Sequence, residues 1–286
     1  MQLIMEKVTV RVPASTSNLG PGYDCLGVAL RIYNHVTLTR ATRGKVPPIV
    51  AAAADRFFGC AELRPIRFAC EIVGHVPVSR GLGSSVTVRL GVILGLNALA
   101  GRPLTRQQCF ELCAELEGHP DNAAPATFGG FNVISGNSRQ RFAVSARLRF
   151  VLLVPAFEVR TEEARKLLPM KIERQRAIES CANACAITAA FASGDHEAMR
   201  GKFTDYLHQP FRKALNPFFD AMVTAAESAG ALGGFLSGSG STVAALVLKN
   251  ADAVARAMSE ASAQKGAQMI ITAADNSGAR VLVPTK

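Results

Sequence analysis

A glycine-rich loop ahead of a long apolar run is the part of the sequence best suited to binding phosphate. The loop consists of Pro77, Val78, Ser79, Arg80, Gly81, Leu82, Gly83, Ser84 and Ser85. Glycines let the backbone turn tightly and approach a ligand, and the start of a following helix offers unpaired N–H groups and a positive dipole end. The pattern predicts a phosphate-binding loop with a serine hydroxyl available to Mg²⁺. The alternative is a plain strand–turn–helix connection capped by serines; without Gly-Lys-Ser/Thr it is not a Walker A loop.

A polar turn with the sequence EGHPDNAAP follows at residues 117–125. It carries His119, Asp121 and Asn122 beside a glycine and a proline. An aspartate there can orient a hydroxyl or support a metal, and an asparagine can hold a hydroxyl by hydrogen bonding. An Asx-turn with a purely structural role is an equally good interpretation.

Two further loops are rich in glycine and small polar residues. The first, STSNLGPGYD over 15–24, places Asn18 and Asp24 where they can bind the ammonium group of a zwitterion. The second, GGFLSGSGST over 233–242, precedes an apolar strand and is suited to closing over a phosphate or a neighbouring loop. A structural loop and a tight turn are the respective alternatives.

The composition narrows the class of protein. The 286 residues are 49% hydrophobic and 19% charged, enough apolar content to bury a full core and too much for disorder. No apolar run approaches the roughly 20 residues of a membrane helix, and the N-terminus lacks the features of a secretory signal. Seven cysteines without a CxxC pair indicate reduced thiols in a cytoplasm.

The net charge of +10 has three interpretations. It fits an anionic ligand such as a nucleotide, a nucleic acid, or simple colloidal solubility. Three tyrosines and no tryptophan make a poor surface for stacking bases, which weakens the nucleic-acid interpretation.

The elements that must position these loops are a mixture of strands and helices, so we predict an α+β fold. Alternating or β-branched runs predict strands over 8–12, 27–40, 66–73, 131–134, 150–154 and 243–248, and short ones near 270 and 281. Apolar periodicity with end signals predicts helices over 84–100, 105–117, 161–168, 173–193, 195–207, 216–229 and 251–264. Thr105 and Gln108 form a capping-box pair, and Ser84, Ser85, Thr161 and Asn216 are further expected caps. A boundary near residue 148 divides the chain into 1–148 and 149–286.

The four polar segments, in this order, resemble the GHMP kinase superfamily and, within it, the homoserine kinases. The PxxxGLGSS loop is similar to the phosphate loop of the superfamily, and SxSNLGPGYDCLGVAL, EGHPDNAAPA and FLSGSGS are similar to homoserine kinases more narrowly. These motifs run from residue 13 to about 248, nearly the whole chain. The resemblance implies an N-terminal part like ribosomal S5 domain 2 with a left-handed βαβ crossover, a ferredoxin-like C-terminal part, and an active site between them.

The resemblance also implies roles for individual residues. The 77–85 loop would hold the phosphates of ATP, with Ser85 on Mg²⁺. Counting back from Asp121 at the family's spacing gives Glu111 as the second metal ligand, with Glu115 and Glu117 as rivals. Asp121 would accept the hydroxyl proton, or Asn122 would only orient the hydroxyl while the proton leaves with the phosphate. The amino-acid site would comprise Asn18, Asp24, His119, Asn122, Arg165 and Arg212.

The implied activity is transfer of the ATP γ-phosphoryl group to the side-chain hydroxyl of L-homoserine, a step of threonine biosynthesis. We expect a cytoplasmic enzyme with no nucleic-acid or membrane partner; a homodimer is left open. The alternatives are a GHMP kinase for threonine or shikimate, and a basic RNA-binding module without catalysis. Two departures, Val-Thr-Val after GLGSS and no proline after SGSGS, leave nucleotide affinity and a neighbouring specificity open.

Overall fold

The computed structural model describes residues 6–41, 46–136 and 138–282. Its strands are β1 Lys7–Asn18, β2 Gly22–Arg40, β3 Phe68–Gly74, β4 Phe131–Ser135, β5 Ser138–Phe142, β6 Arg149–Val154, β7 Gly233–Leu236, β8 Val243–Val247, β9 Gln268–Ala273 and β10 Arg280–Leu282. Its helices are α1 Pro48–Cys60, α2 Ser84–Leu99, α3 Arg106–Glu117, α4 Ala123–Phe128, α5 Thr161–Lys166, α6 Arg174–Ser193, α7 Gln209–Arg212, α8 Phe219–Ser228 and α9 Ala251–Ser262. Short 3₁₀ turns span His196–Met199 and Lys213–Leu215.

The first sheet is antiparallel, with strand order β10-β1-β2-β4-β5 and β3 paired to β2. Apolar residues alternate along β1, so one face of the strand packs on the helices. Val8, Val10 and Val12 are buried on that face, while the residues between them face outward. The helix α2 is apolar on nearly all sides and is almost completely buried, with Leu90 and Ile93 at its centre. This buried helix fixes the direction in which the 77–85 loop enters the fold.

The second sheet has the order β7-β8-β6-β9 and forms a βαββαβ unit with α8 and α9, the ferredoxin-like arrangement expected. Alternation along β6 connects both parts of the molecule. Val151 and Leu153 pack among residues of α8 and α9, whereas Phe150 and Leu152 join a core that includes Phe131 of the first sheet. The α+β prediction is confirmed, and this shared core holds the two sheets together around the cleft described below.

Most predicted elements are present, with shifted ends. The capping box at the start of α3 is confirmed: Thr105 accepts from the Gln108 N–H, and the Gln108 side chain accepts from the Thr105 N–H. The serine caps of α2 are wrong, because Gly83 occupies the cap position in the left-handed conformation and both serines are helical. Thr161 is likewise the first residue of α5, preceded by Arg160.

Two predicted helices differ more. Only residues 196–199 of the 195–207 helix are helical, as a 3₁₀ turn. Gly201 then adopts φ +71°, and the Asp205 carboxylate accepts the backbone N–H groups of residues 207–209, which starts α7 instead. The 216–229 helix begins later, at Phe219, because Asn216 uses its amide to bond Ser241 and Phe218. The helix α1 was not predicted.

The proposed boundary at residue 148 stays a prediction. Residue 149 begins β6, the first strand of the second sheet, while β10 returns to pair with β1 in the first sheet. Among the helices of the described ranges, none is long and apolar enough to cross a membrane.

Candidate active site

A cleft of about 720 Å³ is lined by residues of both parts of the molecule. All four polar segments singled out in the sequence reach it. The predicted site residues that line it are Asn18, Asp24, Val78, Ser79, Arg80, Gly81, Gly83, Ser84, Ser85, His119, Asp121, Asn122, Arg165 and Arg212. Three do not: Pro77, the fully buried Leu82, and Glu111.

The glycine loop lies directly against the second glycine-rich loop. Gly81 has φ +73°, and a Cβ there would overlap the carbonyl oxygen of Ser237. The Ser237 hydroxyl donates to the Gly81 carbonyl over 2.6 Å. A residue larger than glycine would therefore push the loops apart as well as strain the backbone.

The N-terminus of α2 opens into the cleft. No side chain caps it, since the cap residue is Gly83 at φ +67°. Uncapped N–H groups at a helix start attract anions. The side chain of Arg80 is used elsewhere, because it donates to the carbonyls of Pro155 and Ala156 and pairs with Glu158 at 3.3 Å. The backbone N–H groups at the start of α2, and not the Arg80 side chain, are therefore available to an anion at this end of the cleft.

The second metal ligand is the point at which the geometry departs most from the sequence prediction. Glu111 is exposed, outside the cleft, and accepts from the Gln107 side chain at 2.9 Å. Glu115 is exposed and pairs with Arg56 at 2.7 Å. Glu117, one of the predicted rivals, has a side chain only 7% exposed and accepts the Ser85 hydroxyl at 2.8 Å. The structure therefore brings Glu117, and not Glu111, to Ser85.

The chemistry of this pair fits Mg²⁺. A serine hydroxyl and a carboxylate are the hard oxygen ligands that the ion prefers. Within the described ranges no group of three His, Cys, Asp or Glu residues is placed to hold a metal. A magnesium ion here would be held by one carboxylate, one hydroxyl and the phosphates of its nucleotide, which is its usual mode of binding.

The other end of the cleft carries paired charges. The Asp24 carboxylate accepts two hydrogen bonds from Arg165, at 2.8 and 3.0 Å. Asp24 is in the left-handed conformation, which its backbone N–H stabilises by donating to the Asn18 Oδ1 at 3.0 Å. The Asn18 amide in turn donates to the Gly238 carbonyl at 2.9 Å. The hairpin between β1 and β2 thus fixes the direction of a carboxylate.

Arg212 is a buried guanidinium, with the residue only 2% exposed. Its hydrogen bonds are long and go to neutral groups: the Gly238 carbonyl at 3.2 Å, His208 Nδ1 at 3.4 Å, the Tyr23 hydroxyl at 3.4 Å and the Ala164 carbonyl at 3.5 Å. No carboxylate in the described part of the chain lies within ion-pair distance of it. Because a buried charge is costly unless it is paired, this guanidinium is suited to an anion from outside the chain.

His119, Asp121 and Asn122 form one hydrogen-bonded group. Asp121 Oδ1 bonds His119 Nδ1 at 2.7 Å and accepts the Asn122 N–H at 2.9 Å. Burial raises the pKa of Asp121, but the hydrogen bond and charge of His119, with bonds from Ser17 and Asn122, outweigh it and lower that pKa overall. Burial likewise lowers the pKa of His119, yet Asp121 raises it overall. The charged forms of His119 and Asp121 therefore stabilise each other.

The amide of Asn122 is fixed on both sides. Its Oδ1 accepts the Ser15 hydroxyl at 2.9 Å, and its Nδ2 donates to the Ser17 hydroxyl at 3.0 Å. Sequence reasoning missed these serines, and it also missed Tyr23 and His208. Tyr23 accepts from Arg165 at 2.8 Å, and His208 donates from Nε2 to the Gly20 carbonyl at 2.8 Å. The sequence signal for these two residues was their position: Tyr23 precedes Asp24, and His208 lies four residues before Arg212.

Known proteins similar to the chain share this architecture. The family model for the GHMP kinases N terminal domain matches residues 48–130, and the model for GHMP kinases C terminal matches residues 186–264. The homoserine kinase of Caldicellulosiruptor bescii is 36% identical, covering 96% of this chain and 96% of that protein. The homoserine kinase of Microchaete diplosiphon is 37% identical, with 98% of both covered.

Solved structures are similar over the same length. The crystal structure of homoserine kinase from Cytophaga hutchinsonii matches with a TM-score of 0.90 at 25% identity, covering 99% of each chain. A crystal structure of mevalonate kinase, 17% identical, shares the fold with a TM-score of 0.72 over 94% of this chain and 99% of that one.

Proposed function

Because the chain belongs to the homoserine kinases of the GHMP kinase superfamily, we propose that it transfers the γ-phosphoryl group of ATP to the side-chain hydroxyl of L-homoserine. One structural observation carries the proposal. A single cleft has an uncapped helix N-terminus behind a glycine loop at one end, and Asp24 with an uncompensated, buried Arg212 at the other. These two ends suit a phosphate chain and a zwitterionic amino acid.

At the nucleotide end, the backbone of residues 81–85 would hold the phosphates. The apolar side chains of Ile49, Val88 and Leu116 line the same end of the cleft and suit a nucleotide base. Ser85 and Glu117 would hold Mg²⁺, with Glu117 in the role that residue counting gave to Glu111. When bound, the ion neutralises charge on the phosphate oxygens as the phosphoryl group moves. The chain's part is to fix the nucleotide and keep its γ-phosphate pointed at the hydroxyl.

At the amino-acid end, Arg212 would take the α-carboxylate and Asp24 the ammonium group. A planar guanidinium matches a carboxylate with two parallel hydrogen bonds. The present partner of Asp24 is Arg165, so an incoming zwitterion would share or replace this pair. Ligands that lack either charge leave one group unmatched, which makes this end selective for amino acids.

The proton of the hydroxyl is best explained without a strong base. Burial raises the pKa of Asp121, but the hydrogen bond to His119 and the charge of His119 lower it by more, so the net shift is downward. This carboxylate is therefore a weak proton acceptor. Asn122 is held rigidly by Ser15 and Ser17, as an orienting group requires. We infer that Asn122 positions the hydroxyl and that the proton leaves with the transferred phosphate.

Product analysis tests the proposal. The protein is incubated with Mg²⁺, ATP and, separately, L-homoserine, L-threonine, shikimate, 4-hydroxybutyrate and 3-aminopropan-1-ol, and products are followed by phosphorus NMR. We expect O-phospho-L-homoserine, with the analogues that lack one charge nearly inactive. Preferential phosphorylation of threonine or shikimate would move the chain to a neighbouring specificity, and absence of transfer to any alcohol would overturn the proposal.

The compartment and the class of partner belong to the same proposal. Seven cysteines, none in a disulfide, fit a reducing compartment and hence the cytoplasm. An RNA-binding role is not favoured, because the two homoserine kinases named above match the chain over nearly its full length.

A further inference from the structure

Arg89 is a cleft residue to which the activity proposed above assigns no role. It lies one helical turn after Ser85 on α2, so both side chains lie on the same face of the helix. Both reach the carboxylate of Glu117: Ser85 donates to Oε2 at 2.8 Å, and Arg89 pairs with Oε1 at 2.5 Å. Glu117, the proposed metal ligand, is therefore already neutralised by a cation of the chain itself.

The guanidinium of Arg89 is only partly used by this contact. One bond from a terminal nitrogen is made, while the Nε–H is buried and has no partner among the described residues. A buried donor without a partner is costly, which indicates a missing ligand nearby. The Arg89 side chain also lines the end of the cleft that holds the N-terminus of α2, where phosphate would lie.

Mg²⁺ and the Arg89 guanidinium compete for the carboxylate of Glu117. A divalent ion on this carboxylate would repel a guanidinium held 2.5 Å from it. The nearest alternative anions would be the phosphate oxygens of the nucleotide, to which arginine binds strongly. The same charges thus favour one arrangement without the metal and another with it.

We propose that Arg89 is a phosphate-binding residue whose availability is controlled by Glu117. It pairs with Glu117 in the metal-free protein and donates to a phosphate oxygen of the nucleotide once Mg²⁺ occupies that carboxylate. Arg89 thereby couples metal binding to nucleotide binding. This inference rests on the proposed function, since it requires a magnesium nucleotide in the cleft.

Calorimetric binding of a non-hydrolysable ATP analogue tests the coupling. The proteins are wild type, R89A, E117Q and the double variant R89A/E117Q, each with EDTA or with excess Mg²⁺. In EDTA, E117Q frees Arg89 and should bind the analogue about tenfold more tightly than wild type, the effect of one charge-assisted hydrogen bond. The double variant should lose this gain. With Mg²⁺, R89A alone should bind about tenfold more weakly than wild type.

The matched control is the pair Arg56 and Glu115, an arginine–glutamate contact of 2.7 Å that also involves α3 but is exposed and outside the cleft. R56A and R56A/E115Q should leave every affinity unchanged. Thermal unfolding reports whether each variant is folded, and R89K, which keeps the charge, should retain most of the affinity with Mg²⁺ if R89A is unstable.

Equal affinities of E117Q and R89A/E117Q in EDTA would overturn the proposal, because Arg89 would then not reach the phosphates. An R89A variant as strong as wild type with Mg²⁺ would overturn it as well. A folded R89K variant that binds as weakly as R89A with Mg²⁺ would contradict it too, because a positive charge at this position would then not hold a phosphate. If wild type itself binds no magnesium nucleotide, the proposed function fails, which is a separate result.

Discussion

The two ends of the cleft present charge in different ways, and the proposed function makes one of them a phosphate end and the other an amino-acid end. The phosphate end is a continuous stretch of chain, residues 81–85, that presents backbone N–H groups at the start of α2. The amino-acid end is assembled from side chains of distant segments, Asp24, His119, Arg165 and Arg212. A phosphate can be held by any backbone of the right shape, whereas a zwitterion needs one positive and one negative group at a fixed separation.

The difference also appears in how the charges are balanced. At the amino-acid end Asp24 already has a partner in Arg165, while Arg212 has only neutral ones. At the phosphate end Glu117 is paired and the helix N-terminus is uncapped. Each end therefore has a carboxylate that is paired with an arginine, and a positive group that has no anionic partner in the described part of the chain. If these positive sites dominate binding at their own ends, a change at one end should weaken the binding of one substrate and spare the other.

Replacing Arg212 with methionine should have the largest effect. The buried guanidinium would no longer meet the substrate carboxylate, and losing one partner of a buried charge pair costs on the order of 10²–10³ in kcat/KM for homoserine. The KM for ATP should change little. Steady-state kinetics with each substrate varied gives both values, and R200A, which removes an exposed arginine contact, is the control. Equal losses for both substrates would remove Arg212 from the amino-acid end.

Replacing Arg165 with alanine should be milder. Its side chain is 35% exposed and its partner Asp24 remains available to an ammonium group. We expect the KM for homoserine to rise about tenfold, as for one hydrogen bond to a charged group. The same kinetic assay measures it. A loss as large as that of R212M would mean that Arg165 contributes as much as Arg212 to binding of the carboxylate.

At the phosphate end, Gly81→Ala should raise the KM for ATP by about tenfold while homoserine binding changes less, since the added Cβ would overlap the Ser237 carbonyl and shift the loop. Gly194→Ala is the matched control: its φ is +77°, but the space around it is open, so it has the backbone strain without the overlap. Kinetics and thermal unfolding are measured for both. If G194A affects ATP binding equally, loop contact is not the cause.

Asp121→Asn should slow turnover by less than about tenfold, a change in barrier below roughly 1.4 kcal/mol. The reason is that the carboxylate bonds His119 and the Asn122 N–H and thereby positions both residues, while its lowered pKa makes it a weak base. The profile of kcat against pH should keep its shape in the variant. A loss of a thousandfold or more, with disappearance of the acidic limb, would instead identify Asp121 as the base.

The smallest effect concerns pH. The pKa of His119 is raised above its usual 6.5 by Asp121 despite burial, so its contribution to stability is complete below 6.5 and is lost as pH rises through the raised value. The pKa of Asp121 is lowered from 3.8, so its contribution is lost only as pH falls through the lowered value. The Tm difference between wild type and H119Q should therefore be larger at about pH 5.5 than at about pH 8.5. A difference that grows with pH would contradict the mutual stabilisation of these two charges.

Features encoded by neighbouring residues were predicted well from the sequence. The α3 capping box depends on Thr105 and Gln108, three positions apart, and it is present as predicted. The helix α2 was also predicted, but its cap was assigned to the serines because Gly83 has no side chain to signal a cap. The prediction of a helix over 195–207 was wrong because the Asp205 carboxylate accepts backbone N–H groups of the residues that follow it. Apolar periodicity does not reveal such competition.

The same contrast holds for the candidate site, where motifs of neighbouring residues could be predicted and contacts between distant segments could not. The phosphate loop and the HPDN turn are contiguous motifs, and the structure brings them to one cleft. The choice among Glu111, Glu115 and Glu117 could not be made by counting residues, because it depends on which side of α3 faces Ser85 and on Arg56 occupying Glu115. Arg89 was overlooked because nothing local distinguishes an arginine on an exposed helix face from one on a cleft wall.

The most direct test of the division of the cleft into a phosphate end and an amino-acid end is a crystal structure with Mg²⁺, a non-hydrolysable ATP analogue and L-homoserine. We expect phosphates against residues 81–85, the homoserine carboxylate on Arg212, its ammonium group at Asp24, and its hydroxyl facing the γ-phosphate beside Asn122. An amino acid bound away from Arg212 and Asp24, or a nucleotide whose phosphates point away from the HPDN turn, would contradict this division.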